Sequence, residues 1–157
     1  MRTLAALAAL LLVAACQAPP SEMTEAEKAA IKAEVEAYLD KYEEIWETLA
    51  LDRTASLKVQ TPEYTWAMAG AITRGFEENQ AKAEAEFSSV EAVDWESTDR
   101  HVAVLSRDAA ALLNVGKTTV THSGGETWEA TFTYSHVVVR RDGEWQTLIG
   151  HSSYEEG

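Results

Sequence analysis

The spacing of apolar side chains changes once along this chain, near residue 90, and that change limits the folds open to it. Before this point, apolar residues recur every three or four positions, which is the period of a helix buried on one face. After it they alternate, which is the period of a strand with one buried face. Helices followed by a run of strands are typical of the α+β class.

The longest helical pattern lies in the N-terminal third of the chain. Thr24 and Glu27 have the spacing of a capping box, which predicts that a helix begins there. An apolar stripe follows at steps of three and four residues; it comprises Ile31, Val35, Tyr38, Tyr42, Ile45 and Leu49, widened by Leu39 and Trp46. This pattern predicts an amphipathic helix that covers a core. Fewer than three clean heptads argue against a coiled coil.

Shorter elements are predicted between this helix and the region of alternation. Residues 52–58 form a second, short helix, and Pro62 ends it. Residues 64–68 and 71–74 form a small hairpin around the Ala69-Gly70 turn, and a further helix runs from Phe76 to Phe87.

Four consecutive strands are predicted from about residue 90 onward. Turn signals separate them at Arg107-Asp108, at residues 123–125 and at Asp142-Gly143. The Asp-Gly pair fits a two-residue hairpin loop, because both positions of a type I′ turn need a positive φ. If Arg141 pairs with Glu144, counting outward places Tyr134 opposite His151.

This register predicts that one face of the last hairpin is aromatic and carries two histidines. Side chains alternate along a strand, so Phe132, Tyr134, His136, Ile149 and His151 share a face. We expect this face to lie beneath the helices and to border a pocket. The predicted pocket residues are Tyr38, Tyr42, Trp46, Trp66, Tyr134, His136 and His151. His151 either contacts a ligand there or only hydrogen-bonds Tyr134 and shapes the core.

The order of elements resembles the nuclear transport factor 2-like superfamily, in particular its small SnoaL-like and ketosteroid-isomerase-like branch. The residues that carry the resemblance are Ile72 to Gly75, Ser106 to Ala109, Val138 to Trp145 and His151 to Ser153. It implies a cone, in which N-terminal helices cover a strongly curved antiparallel sheet. It also implies a range of roles, because the superfamily includes isomerases, cyclases, dehydratases, binding modules and assembly domains.

Three functions are compatible with this resemblance. The first is binding of a small apolar or amphipathic molecule in the cone, and the second is dimerisation through the outer sheet face around Val137, Val139 and Leu148. The third is isomerase- or cyclase-type catalysis, which requires a carboxylate base and an oxyanion hole. The candidate acids are Asp94, Glu96, Asp99 and Glu129. None of them matches the catalytic position of the isomerases, so we assign no catalytic residue.

Charge and motif content argue against several other functions. The formal net charge of −13 disfavours contact with nucleic acid, whose phosphates would be repelled. The sequence has no HExxH, CxxC or Gly-rich phosphate loop, so we predict neither a metal nor a cofactor.

The N-terminus is typical of a bacterial lipoprotein. Residues 1–15 combine one basic residue with an apolar run too short to span a bilayer, as in a signal peptide. Val13 to Cys16 resemble a lipobox, and Cys16 is the single cysteine of the chain. We therefore predict a lipid on Cys16, a tether over residues 16–23 and one domain over residues 24–155. Because Gln17 rather than Asp follows the cysteine, the expected location is the outer membrane, facing the periplasm.

Replacing the lipidated residue tests this assignment. The Cys16→Ser chain has no thiol to acylate and should leave the membrane fraction, since the acyl chains supply the attachment. Cell fractionation and metabolic labelling with palmitate measure the two effects. Gln17→Ser is the matched control and should stay labelled. Equal membrane retention of both variants would contradict the prediction.

Overall fold

The computed structural model describes residues 22–156 of the chain. The predicted signal peptide, Cys16 and most of the tether lie outside these residues. The elements in chain order are α1 (Glu25–Glu47), a 3₁₀-helix (Leu51–Leu57), β1 (Thr65–Met68), β2 (Ala71–Arg74), α2 (Phe76–Phe87), β3 (Val90–Ser106), β4 (Ala109–His122), β5 (Thr127–Arg141) and β6 (Glu144–Glu156). The predicted α+β class is confirmed.

Helix α1 begins with the predicted capping box. The Glu27 amide donates to Thr24 Oγ1 at 3.1 Å, and the Thr24 amide donates to Glu27 Oε2 at 2.8 Å. Its predicted stripe is buried from Ile31 to Trp46. Leu49 was wrongly included, because the helix ends at Glu47 and Leu49 adopts a φ of 51° in the turn that follows.

The strands form one curved, unclosed sheet in the order β2-β1-β6-β5-β4-β3. Strands β3 to β6 are the predicted antiparallel meander. The small hairpin extends the sheet by an unpredicted parallel pairing of β1 with β6, in which Thr65 lies opposite Ile149. Three register shifts interrupt the pairing of β3 with β4. Such bulges bend a strand, which lets the sheet curve around α1.

The core lies between α1 and the concave face of the sheet, which we call the inner face. Strand β5 alternates as predicted, with its even-numbered residues from Ala130 to Val138 buried on that face. Ile45, Leu57, Leu112, Phe132 and Val138 are among the most deeply buried members of the core.

A bulge at Leu148 changes the register of the last hairpin. The predicted pairing holds from Arg141–Glu144 to Val138–Thr147, but Val137 then pairs with Ile149 and Leu148 has no direct partner. Beyond the bulge, Tyr134 lies opposite Ser152 and not opposite His151. The prediction that His151 shares the face of Tyr134 is therefore wrong. His151 is exposed on the convex, outer face.

Arginines on the sheet hold α1 by its polar side. Arg100 of β3 contacts Asp40 at 2.5 Å and also bonds Glu43, which accepts a further bond of 2.9 Å from Asn114 Nδ2. Arg140 bonds Glu34 in the same way. These pairs are partly exposed, so each one adds only modestly to stability. They fix the rotation of α1 about its axis, and hence which side chains face the sheet.

None of the helices within residues 22–156 has both the length and the apolar character that crossing a bilayer requires.

Gly150 provides a stability test of the bulge. A Cβ at this position would lie 2.1 Å from Cζ3 of Trp66. Gly150→Ala should therefore lower the free energy of unfolding by about 1–3 kcal/mol through overpacking. Urea denaturation measures this change. Gly124→Ala is the control, because a Cβ there meets nothing within 4 Å. Equal stability of the two variants would show that Trp66 does not pack on Gly150.

Candidate functional site

A cavity of about 480 Å³ lies between α1, α2 and the inner face of the sheet. We call it the cone cavity. Its walls are mainly aromatic, and the rings that line it are Tyr42, Trp46, Tyr64, Trp66, Phe87, Trp95, Trp128, Tyr134 and Tyr154. Volume and composition both fall in the range of small-molecule sites in proteins.

Trp66 and Ser152 form the wall contributed by β1 and β6. The Trp66 indole N–H donates to Ser152 Oγ at 3.3 Å, and its ring covers Gly150. Both partners in β6 face inward only because the bulge at Leu148 shifts the strand by one residue. The parallel pairing of β1 with β6 thus places one of the largest rings in the cavity wall.

Trp95 of β3 and Tyr134 of β5 continue this wall, with Phe132 packed behind them. The centroid of Trp95 lies 4.5 Å from that of Phe132 and 4.9 Å from that of Tyr134. The hydroxyl of Tyr134 shares a hydrogen bond with that of Tyr154. Burial raises the pKa of Tyr134 well above its ordinary value, with the neighbouring Tyr154 adding to the effect. Both hydroxyls therefore stay protonated at neutral pH and can donate hydrogen bonds.

The seven predicted pocket residues fall into three groups. Tyr42, Trp46, Trp66 and Tyr134 line the cone cavity. Tyr38 and His136 are buried behind its wall. His151 lies on the outer face, because the bulge at Leu148 exchanges the two faces of β6 beyond it.

Thr147 links the two residues behind the wall. The Tyr38 hydroxyl shares a 2.6 Å hydrogen bond with Thr147 Oγ1 and donates to the Leu57 carbonyl at 3.0 Å. His136 Nδ1 lies 2.9 Å from the same Oγ1, and its ring packs edge-on against Tyr42 and Trp66. Burial lowers the pKa of His136 to about 3, so its imidazole is neutral. This polar chain supports the cavity rings from behind.

Sequence reasoning missed several lining residues. Tyr154 and Ser152 face the cavity only after the bulge, which the alternation pattern does not reveal. Tyr64 precedes its strand, and Lys58 is a single cation between buried Leu57 and Val59. The one available signal was the position of Lys58 in an otherwise apolar segment.

The candidate acids of the sequence do not enter the cavity. Asp94, Glu96, Asp99 and Glu129 are exposed. Among the described residues that line the cavity, Glu86 of α2 carries the carboxylate, and it is also exposed. Residues 22–156 contain no group of three or more His, Cys, Asp or Glu side chains placed to hold a metal ion.

The outer face carries a second feature, a shallow depression of about 360 Å³ that we call the outer patch. Two rows of paired residues cross it from β3 to β6: His101, Leu113, Ser135 and His151, and beside them Ala103, Ala111, Val137 and Ile149. Leu113 and Ile149 are each 48% exposed. The predicted apolar outer surface thus includes Val137, with Leu113 and Ile149 as its most prominent side chains.

With the fold and both surfaces described, the chain can be compared with known proteins. The family model of the calcium/calmodulin-dependent protein kinase II association domain matches residues 29–156. The chain belongs to this family. Its match covers α1 from its second turn through the whole sheet, and therefore includes the cone cavity and the outer patch of this association domain. No curated protein gives a significant sequence match.

Solved structures show the same fold at low sequence identity. A scytalone dehydratase-like protein from Novosphingobium aromaticivorans superposes with a TM-score of 0.76 at 12% identity, covering 84% of this chain and 89% of that one. A nuclear transport factor 2-like protein from Salmonella enterica gives 0.71 at 15% identity, covering 83% and 94%. A calcium/calmodulin-dependent protein kinase II association domain protein from Xanthomonas campestris gives 0.67 at 22%, covering 78% and 86%. The predicted nuclear transport factor 2-like fold is confirmed.

His136 makes the stability of this association domain pH-dependent. Its pKa of about 3 in the folded state lies below the ordinary value of 6.5, so between these values the unfolded chain binds more protons. Stability therefore falls as the pH drops through this window, by about 2 kcal/mol at pH 5 relative to neutral pH. Urea denaturation at pH 7 and pH 5 measures the loss.

The matched variant for this prediction is His136→Gln, which keeps a polar side chain but has no group that titrates in the window. Its stability difference between pH 7 and pH 5 should be smaller than that of the natural chain by the same amount. Identical differences in the two proteins would show that His136 does not stay neutral in the folded state.

Proposed function

We propose that this association domain binds a small apolar or amphipathic molecule in the cone cavity, while a lipid on Cys16 holds it at the bacterial outer membrane, facing the periplasm. The cavity carries the first part of the proposal: about 480 Å³ enclosed largely by rings. The lipobox-like Val13 to Cys16 supports the second part.

The chemistry of the walls suits a ligand with an apolar body and a polar end. Aromatic rings offer large contact areas and orient other rings edge-on or offset. Polar groups lie among these rings; they include the hydroxyls of Tyr134 and Tyr154, Ser152 and the side-chain nitrogen of Lys58. Among the described residues, Thr118 Oγ1 and Trp95 Nε1 are buried without a hydrogen-bond partner. A polar end of the ligand would find donors at several points of the wall.

Filling the cavity tests the proposal. Ala83 of α2 lines the cavity, whereas Ala81 of the same helix is exposed and does not. We expect Ala83→Leu to weaken binding of the neutral aromatic probe 2-naphthol by at least about tenfold, or about 1.4 kcal/mol. Isothermal titration calorimetry measures the affinity.

The matched control for this experiment is Ala81→Leu, which adds the same side chain outside the cavity and should bind like the natural chain. Native mass spectrometry of the purified protein then looks for a co-purifying small molecule. Equal affinity of both variants, or no binding by the natural chain, would contradict the proposal.

Dimerisation through the outer patch is the alternative function. The specific observation in its favour is the exposure of Leu113 and Ile149 on the same sheet face, on β4 and β6 with β5 between them. Apolar residues grouped in this way mark interaction surfaces more often than solitary ones do. Membership of a family named for association supports the same reading. A face-to-face dimer would leave the cone cavity accessible, so the two functions are compatible.

Placing a charge in the apolar outer patch tests the dimer. Leu113→Lys places an ammonium in the middle of the outer patch and should convert a dimer into monomers, because the charge would be buried without a partner. Light scattering after size-exclusion chromatography gives the molar mass. Ile72→Lys is the control, since Ile72 is 52% exposed on the edge strand β2. A monomeric natural chain, or a dimer that survives Leu113→Lys, would contradict this alternative.

Catalysis of the isomerase or cyclase type is the further alternative. The scytalone dehydratase-like neighbour shows that the fold occurs among proteins named as enzymes. An isomerase mechanism would need a carboxylate base close to the ligand. Glu86 is the acid at the described cavity lining, and its exposure on α2 gives this alternative no specific support.

A further inference from the structure

Lys58 is a cation in the aromatic wall of the cone cavity. It follows the 3₁₀-helix, and its residue is only 4% exposed. Its Nζ lies 3.1 Å from Gln80 Oε1 and 5.8 Å from the ring centroid of Trp46. Within the described residues no carboxylate approaches it within ion-pair distance. A structural lysine at such depth is normally paired with an acid.

The Gln80 side chain is fixed so that its oxygen faces Lys58. Its Nε2 donates to the Leu51 carbonyl at 3.3 Å and to Glu84 Oε1 at 3.1 Å. Its Oε1 also accepts from Thr54 at 3.0 Å. Reversing the amide would lose both bonds that Nε2 donates and would turn Nε2 toward Lys58 Nζ. Gln80 therefore offers Lys58 one neutral acceptor, which an amine can use as well as an ammonium can.

The electrostatic setting raises the share of the neutral amine. Burial lowers the pKa of Lys58 to about 8, and the more distant Glu84 opposes this only in part. Lys82 shows the contrast: it also lines the cavity, but its Nζ is paired with Glu78 at 2.8 Å and its side chain is 51% exposed. At pH 7 the neutral fraction of Lys58 is about two hundredfold larger than that of an ordinary lysine. Neutral amines are nucleophiles, and buried lysines supply the known imine-forming residues of proteins.

We propose that Lys58 captures an apolar aldehyde or ketone in the cone cavity by reversible imine formation. This inference rests on the proposed binding function and names the class of ligand. The combination that carries it is an amine held by a neutral acceptor, without an acid partner, in the wall of a ring-lined cavity.

The chemistry balances without an oxidant or a reductant. The lone pair of Nζ forms a C–N bond with the carbonyl carbon, and the π pair of the carbonyl moves to its oxygen, which takes up the proton released from nitrogen. The carbinolamine then loses its hydroxyl and the remaining N–H proton as water, leaving a C=N bond. Amine and carbonyl thus give imine and water.

Reductive trapping tests the proposal on the full chain. The protein is treated with 2-naphthaldehyde and sodium cyanoborohydride at pH 7, and peptide mapping by mass spectrometry measures labelling of each lysine. We expect Lys58 to label at least about tenfold faster than Lys82, since Glu78 holds the Nζ of Lys82 in an ion pair, whereas no described carboxylate pairs with that of Lys58. Equal or slower labelling at Lys58 would overturn the proposal.

Two controls separate this proposal from the binding function. An excess of 2-naphthol, which has no carbonyl, should protect Lys58 in the natural chain, and Lys58→Met should lose the fast-labelling site. If 2-naphthol binds but Lys58 does not label selectively, imine formation is refuted and binding stands. If 2-naphthol does not bind at all, the proposed binding function itself fails. The protection experiment gives this answer even if Lys58→Met does not fold.

Discussion

The bulge at Leu148 decides what the cone cavity contains. Because side chains alternate along a strand, one extra residue in β6 exchanges its two faces beyond that point. Trp145 and Thr147 lie inside before the bulge, and Gly150 and Ser152 lie inside after it. An unshifted strand would place Ile149 and His151 beneath the helices. Gly150 instead gives the Trp66 ring room to lie flat on the sheet. The same shift moves the apolar side chain of Ile149 and the imidazole of His151 to the outer patch.

Helix α1 supplies the other half of the site, and its two sides have separate tasks. The apolar stripe packs on the sheet and delivers Tyr42 and Trp46 to the cavity. The polar side is held by arginines of β3 and β5. Tyr38 connects the helix to Thr147 and through it to His136. The cavity walls are thus attached to a continuous buried network, which favours a preformed site over one that a ligand must organise.

The sequence predicted the architecture because each element carried a local signal. The capping box of Thr24, the stripe of α1 and the turn at Asp142-Gly143 act over a few residues, and the structure confirms them. The identity of His136 as an inward residue followed from simple alternation along β5. The inward position of Ser152 and Tyr154 did not, because the alternation of apolar residues along β6 does not reveal the bulge at Leu148.

Residues brought together over long distances were equally hidden from sequence reasoning. The environment of Lys58 depends on Gln80 of α2 and Trp46 of α1, and neither segment signals the other. The parallel docking of β1 on β6 leaves no periodic trace, since each strand satisfies its own alternation. The prediction that Leu49 belongs to the helical stripe was wrong for a local reason: α1 ends at Glu47, before the apolar pattern does.

That parallel docking also makes one wall of the cone cavity depend on the last strand. Trp66 of β1 lies opposite Gly150 and donates a hydrogen bond to Ser152 of the same strand. A chain truncated before β6 would keep the pairing of β4 with β3 and β5, but its β1–β2 hairpin would have no neighbour left in the sheet. Such a truncation removes the place of Trp66 and its hydrogen-bond acceptor together.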